Sequence, residues 1–171
     1  VTPTLSTERL TLRQLTKPTP DHVRWLNDPE VTRYSEQRHI EHSMYRQIQY
    51  INSFEGNSHI WGIYRVDNKA NIGIITATHD PPNNLADVGI LIGDVDVWGQ
   101  GYGAEAWRAA CDWLLSPDGG GMRKLEAGCM RANEAMMKII IKSRFKHEGD
   151  RANHFLLGGN PVSAALFGRF P

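Results

Sequence analysis

The chain has 171 residues, 40% hydrophobic and 22% charged, the balance of one soluble globular domain that needs no disulfide or metal staple and not that of a disordered chain. Lys plus Arg is 19 and Asp plus Glu is 19, a formal net charge of zero, which argues against a dedicated nucleic-acid protein and its basic excess. No apolar run reaches the roughly 18 residues of a membrane helix, Val1-Thr2-Pro3 opens no secretory signal pattern, and the absent Met reads as a processed or trimmed chain, so a cytoplasmic location is expected.

Thr11 to Leu15 alternates and predicts a first strand. Pro18 and Pro20 interrupt the chain, and Asp21 is the expected N-cap of a short helix through Leu26. Asn27-Asp28-Pro29-Glu30 is a turn, followed by a second short turn or helix over Val31 to Tyr34. Met44, Tyr45, Ile48 and Ile51 stand at helical spacing within His42 to Phe54. His59 to Val66 and Ala70 to Ala77 are β-rich runs joined by an Asp67-Asn68 hairpin turn. Ala86 to Ile92 is nearly continuous in apolar residues, as a strand at the centre of a sheet is. A glycine-rich loop then leads into a helix over Gly103 to Leu115, with Ala106, Trp107, Ala110, Cys111 and Leu114 on one stripe. Pro117-Asp118-Gly119-Gly120-Gly121 stops it. Lys124 to Met130 follows as a strand, Asn133 to Lys142 as a helix, and a strand pair begins at Phe145, turning at Gly158-Gly159-Asn160-Pro161. With no repeat and no linker, residues 1–171 form one α+β domain around one mixed sheet. Cys111 and Cys129 lie in apolar surroundings without CxxC spacing and read as buried free thiols.

The segment richest in chemistry runs from Gly93 to Ala106. A buried strand enters the alternating glycines Gly99, Gly101 and Gly103, and an alanine-rich helix follows. Glycine lets the backbone turn sharply and lets a ligand approach its N–H groups. The helix adds its positive end, so the unit suits a diphosphate. A Walker loop is excluded because Gly-Ala-Glu stands where Gly-Lys-Ser/Thr is needed. Gly99, Gly101 and Ala104 formally match a dinucleotide fingerprint, yet too little chain follows for repeated βαβ units. A loop without a ligand and a coenzyme A site are the other readings.

Here the sequence resembles the GNAT acetyltransferase superfamily. Trp98 to Gly103 resembles its Gln/Arg-x-x-Gly-x-Gly/Ala signature, with Trp98 replacing Gln or Arg. The stretch Trp98 to Ala106, together with Thr7 to Arg13 and Trp25 to Val31, resembles the RimJ/RimL-type branch. Asn133 followed by Lys142-Ser143-Arg144-Phe145 and Glu148-Gly149 resembles that branch's second cofactor motif. The likeness runs from residue 5 to residue 155. It implies a GNAT-like α+β fold, with a mixed, mostly antiparallel sheet of about six to seven strands, helices on both faces and a splayed central strand pair.

The resemblance also implies roles. Backbone groups of Ile92, Gly93, Asp94 and Val95 would pair with the pantetheine arm of acetyl-CoA. N–H groups of Trp98, Gly99, Gln100, Gly101, Tyr102 and Gly103 would hold its diphosphate. Asn133 would touch the arm or cap its helix, Met136 would lie beside it, and Lys142 would reach an adenosine phosphate or complement the helix dipole. Arg144 stands where the family has Gly before Phe145, which puts a tight turn there in question. Ile140 falls where many relatives carry a Tyr acid, and Met136 where RimL-like members carry Ser, so the acid role is unassigned. His154 and Asp87 are the candidate bases. Trp25, Asn27, Tyr34, Glu36, Arg38, His59 and Trp61 are the candidate acceptor residues, aromatic walls with a few polar groups. The expected function is acetyl-CoA-dependent N-acetyl transfer to a primary amine: a small amine, an amino sugar or a protein N-terminus. No metal, nucleic acid or membrane is expected, and a monomer or homodimer is. The alternative is a non-catalytic acyl-CoA sensor or subunit.

Overall fold

The computed structural model describes residues 1–171. In chain order it contains β1 (Leu5–Ser6), β2 (Leu10–Gln14), α1 (Pro20–Leu26), α2 (Met44–Asn52), β3 (His59–Arg65), β4 (Asn71–Asp80), β5 (Leu85–Ile92), α3 (Tyr102–Leu115), β6 (Lys124–Met130), α4 (Glu134–Lys142), β7 (Lys146–Leu157) and β8 (Asn160–Arg169). One 8-stranded sheet has the order β1-β2-β3-β4-β5-β6-β8-β7. Every neighbouring pair is antiparallel except β5 and β6. The strand beyond the expected six to seven is β1, whose 2 residues are too short to display alternation.

Local chemistry sets the helix starts. The cap of α1 is Thr19, not Asp21. Thr19 Oγ1 accepts from the His22 N–H, His22 Nδ1 accepts from the Thr19 N–H, and Pro20 occupies the first helical position. Ser43 caps α2 by accepting the Arg46 N–H, so that helix begins later than the apolar spacing suggests.

Helices cover both faces of the sheet. On one face Ile60 and Ile74 pack with Leu15 and with Ile51 of α2. On the other, Trp61, Ile63 and Ile75 join the stripe of α3, whose Ala106, Trp107, Ala110, Cys111 and Leu114 are all 0% exposed. Each large side chain sealed there contributes about 1.5–3 kcal/mol. Trp107 Nε1 donates to Ser143 Oγ at 2.9 Å, fastening the end of α4 to α3.

The sheet is unbroken on either side of one seam. β4 and β5 pair along the whole of β5, from Leu85 opposite Asp80 to Ile92 opposite Gly73. β6 pairs with β8 from Leu125 to Met130. Between β5 and β6 the register runs only from Leu85 opposite Lys124 to Asp87 opposite Glu126. Beyond that rung β5 stays with β4, β6 leaves with β8, and a wedge opens. A register shift between Arg151 and Phe155, where Asn153 has φ 50° and its N–H donates to Ser163 Oγ, brings Arg151, His154 and Phe155 to the wedge.

Candidate functional site

A cleft of about 1330 Å³ occupies the open seam and reaches from the glycine loop to the β7–β8 hairpin. Strand alternation decides which backbone groups face it. The Gly93 N–H donates to the Ile72 carbonyl at 2.9 Å, so odd-numbered residues of β5 serve the β4 ladder and even-numbered ones face β6. Past the last rung, the peptide groups of Ile90 and the N–H of Ile92 therefore look into the gap. The expected set Ile92 to Val95 is corrected accordingly. Gly93 and Asp94 both spend their N–H groups on Ile72, and the Val95 carbonyl accepts from the Trp98 N–H. The Ile92 carbonyl is taken by Trp98 Nε1 at 2.9 Å. Gly93 is glycine for a packing reason, since a Cβ there would collide with the Trp25 ring.

Gly99 and Gly101 have φ of +76° and +84°, the left-handed region that glycine enters without strain. The loop they shape presents its amides outward: no N–H from Gly99 to Ala104 has an acceptor within the protein. The row begins at Gly99, one residue later than expected, because the Trp98 amide closes onto Val95. Gln100 contributes its N–H to the row while its side chain donates to the Asp96 carbonyl. Gly103 is helical, and a Cβ there would come to 3.4 Å from Ile139 Cδ1 and 3.5 Å from Ile92 Cγ1, so glycine keeps that groove open. These amides lie at the N-terminal end of α3, where the helix dipole is positive. Lys138 and Lys142, one turn apart on α4, line the same cleft without an acidic partner.

Asn133 lines the cleft and caps α4, its Oδ1 accepting the Met136 N–H at 3.2 Å. Met136 also lines it, whereas Ile140 is fully buried. Cys129, expected to be buried, instead lies half-buried at the cleft wall. Burial pushes its thiol up to about 11, so it is uncharged near neutrality. Cys111 is wholly enclosed.

Asp87 stands at the point where the strands part. Its register partners put it beside Glu126, on the sheet face that carries Ile60, Thr76 and α2. Its outer edge meets solvent, but the cleft floor strips much of its hydration. Loss of water first, and the Glu126 charge second, raise its pKa to about 6. Lys124 is engaged elsewhere, donating to Glu126 at 3.1 Å and Glu148 at 2.8 Å, and Asp87 has no cation of its own. Tyr50 of α2 lies near it: removal from water, opposed by the Thr76 hydroxyl, and the Asp87 charge raise the phenol's pKa. His154 lines the cleft as an exposed ring, edge-on to Phe155 at 4.6 Å.

Of the expected acceptor residues, Tyr34 and Glu36 line the cleft and the five others do not. Trp61 is 0% exposed and donates to the Pro3 carbonyl. His59 is sealed beside Trp61 and Trp113 and bonded to the Thr2 hydroxyl. Burial, then the N-terminal ammonium and His79, lower its pKa to about 4. Trp25 walls off Gly93. Asn27 staples His42, giving a hydrogen bond to its carbonyl and accepting one from its N–H. Arg38 ties Glu36 to the Leu156 carbonyl on the hairpin. Glu126, Lys138, Tyr50 and Arg151 were not among the expected residues. Lys138 was legible as the residue one helical turn before Lys142. Glu126 was not, because parallel register leaves no local trace.

The model of the acetyltransferase (GNAT) domain family matches residues 9–146. A Bacillus subtilis (strain 168) protein described as the uncharacterized N-acetyltransferase YoaA is 28% identical over 173 residues, covering 96% of this chain and 95% of that one. The spermidine N-acetyltransferase of Vibrio cholerae, solved with CoA and spermine, superposes with a TM-score of 0.80 at 16% identity and 96% coverage of both chains. RimL, the ribosomal L7/L12 α-N-protein acetyltransferase solved with CoA, superposes with 0.79 at 17% identity and 98% coverage of both. At such identities the superpositions establish the shared fold.

Proposed function

The chain belongs to the acetyltransferase (GNAT) family, whose general chemistry is acetyl transfer, and from that premise we propose that it moves an acetyl group from acetyl-CoA directly to a primary amine. The observation that carries this is the row of unpaired amides from Gly99 to Ala104, placed at the mouth of a parted strand pair. The two features fit an acyl carrier: a diphosphate on the amides, with Lys138 and Lys142 for the other phosphate, and an amide-bearing arm along Ile90 and Ile92. CoA in two solved neighbours agrees with it.

Acetyl-CoA supplies a thioester already activated for attack: the amine nitrogen bonds the carbonyl carbon, the C–S bond breaks, and the amine's proton balances the departing thiolate. The protein's part is to orient and to move protons. The Ile90 or Ile92 N–H is placed to hold the thioester oxygen. Asp87, with a pKa of about 6, is ionised at neutral pH yet basic enough to take a proton from the incoming ammonium, directly or through water. His154 is the second candidate. The acceptor is taken to bind at the Asp87 end of the cleft; of the lining carboxylates, Arg38 holds Glu36 and Lys124 holds Glu126 and Glu148, while Asp87 and Glu30 have no cationic partner. Those free carboxylates favour a small cationic amine over an amino sugar. A protein N-terminus of the RimJ/RimL kind is the next choice, and a cytoplasmic location goes with either.

Neither Ile140 nor Met136 can donate a proton, which is the one observation favouring a non-catalytic acyl-CoA sensor. Release of CoA thiol over a panel of polyamines, amino sugars and N-terminal peptides decides. Turnover with an amine is the expected result. Tight acetyl-CoA binding without turnover on any amine makes the protein a sensor, and no CoA binding removes the assignment.

A further inference from the structure

The amide row is braced from behind by one residue preceding β2. Arg9 Nη1 donates to the Gln100 carbonyl at 2.8 Å. Its Nε donates to Glu105 Oε2 at 2.6 Å, and its backbone N–H to Glu105 Oε1 at 3.0 Å. The guanidinium lies over the Tyr102 ring, 4.4 Å from the centroid. Thr7 Oγ1 completes the shell around Glu105 at 2.6 Å. Gly101 lines the cleft and Arg9 does not.

Two consequences follow. The chain has no cis peptide bond, and across a trans peptide the C=O and N–H point in opposite directions. Gripping the Gln100 carbonyl from behind therefore turns the N–H of Gly101, in the same peptide unit, forward into the cleft. Secondly, Glu105 sits in the first turn of α3, where its negative charge opposes any anion on the amides. Arg9 offsets that charge.

We propose that Arg9 is a positioning residue for the acyl carrier's diphosphate, aiming the Gly101 amide and neutralising Glu105 without itself touching the ligand. The proposal rests on the diphosphate reading of the loop. It separates Arg9 from a general structural brace by one property: its effect belongs to ligands that carry the diphosphate. Calorimetry on the full chain with CoA and with pantetheine, which lacks the diphosphate, reads that property. Arg9→Gln is expected to weaken CoA about 10–100-fold and leave pantetheine within about 2-fold. Arg9→Lys keeps the charge but loses the two-armed grip, so a smaller CoA-only loss of about 3–10-fold is expected, and it serves if the Gln variant folds poorly. Adding Glu105→Gln to Arg9→Gln removes the unmasked carboxylate and is expected to restore part of the loss. Equal weakening of CoA and pantetheine, or unchanged CoA affinity in both Arg9 variants, overturns the role of Arg9. A wild-type protein that binds CoA no better than pantetheine overturns the diphosphate reading instead.

Discussion

His59 and Asp87 are driven toward neutrality by the same cause, loss of water, one down to about 4 and the other up to about 6. Their surroundings differ in kind. His59 lies in the unbroken block from β2 to β5, sealed among Trp61 and Trp113. Asp87 lies at the last rung before β5 and β6 part. A shifted group becomes usable chemistry only where a reactant can reach it. At this seam access comes from an abandoned ladder: β5 keeps one hydrogen-bonding edge on β4 and leaves the other open. The block supplies rigidity, and the seam supplies unpaired amides and a carboxylate that a reactant can reach.

Closing the amide row is the largest way to break this contrast. Gly101 has φ +84°, and Val there must abandon the turn or carry its strain. Gly101→Val is expected to weaken CoA by about 100-fold or more, with the far-ultraviolet spectrum retained. Unchanged affinity by calorimetry shows that the seam is not the CoA site.

Removing that carboxylate comes second. Asp87→Asn is expected to lower kcat/KM about 10²–10³-fold at pH 7.5, with CoA affinity within about 2-fold and the limb of the pH–rate profile near pH 6 lost. His154→Ala, on an exposed ring, is expected to cost less. If the order is reversed, His154 is the base and Asp87 a structural acid.

Most of the block was legible in the sequence, and only half of the seam. Alternation over Thr11 to Leu15 and the stripe Ala106–Trp107–Ala110–Cys111–Leu114 report burial directly, because periodicity is a one-dimensional record of a face. The loop was legible because glycine at Gly99 and Gly101 answers a backbone demand. The sequence could not show that Gly93 and Asp94 donate to Ile72, nor that Asp87 faces Glu126, since both depend on register between distant segments. Aromatic composition misled at Trp25, His59 and Trp61, where large rings serve the core as readily as a ligand.

The two shifted groups give opposite pH slopes, a sharper test of the same contrast. The unfolded chain protonates His59 near 6.5 and the folded one near 4. Between those values the unfolded state holds more protons, so acidification removes up to about 3 kcal/mol. Asp87 runs the other way: the folded state binds its proton near 6 and the unfolded near 3.8, so acidification through that window restores stability. In the wild type the slopes oppose each other. Asp87→Asn leaves the His59 slope alone, so urea unfolding is expected to show a variant more stable than wild type at pH 7, with the advantage shrinking by pH 4.5. Parallel curves for the two proteins rule out the Asp87 shift.

The smallest effect concerns strain at the flank of the seam. Arg144 follows the Ser143 cap of α4 with φ 70°, the left-handed conformation usually given to glycine after a helix. A side chain there costs roughly 1–2 kcal/mol, against about 0.4–1 kcal/mol that glycine adds to the entropy of the unfolded chain. Arg144→Gly is therefore expected to stabilise by about 0.5–1 kcal/mol, a Tm rise of about 1–4 °C. Ser143 Oγ holds Ile139 and Ile140 carbonyls and accepts from Trp107, so the end of α4 is anchored independently of residue 144. The gain should accordingly leave CoA affinity unchanged. A stabilised variant that binds CoA differently shows instead that strain at Arg144 reaches the cleft through α4, and that the seam is held open partly by the helix beside it.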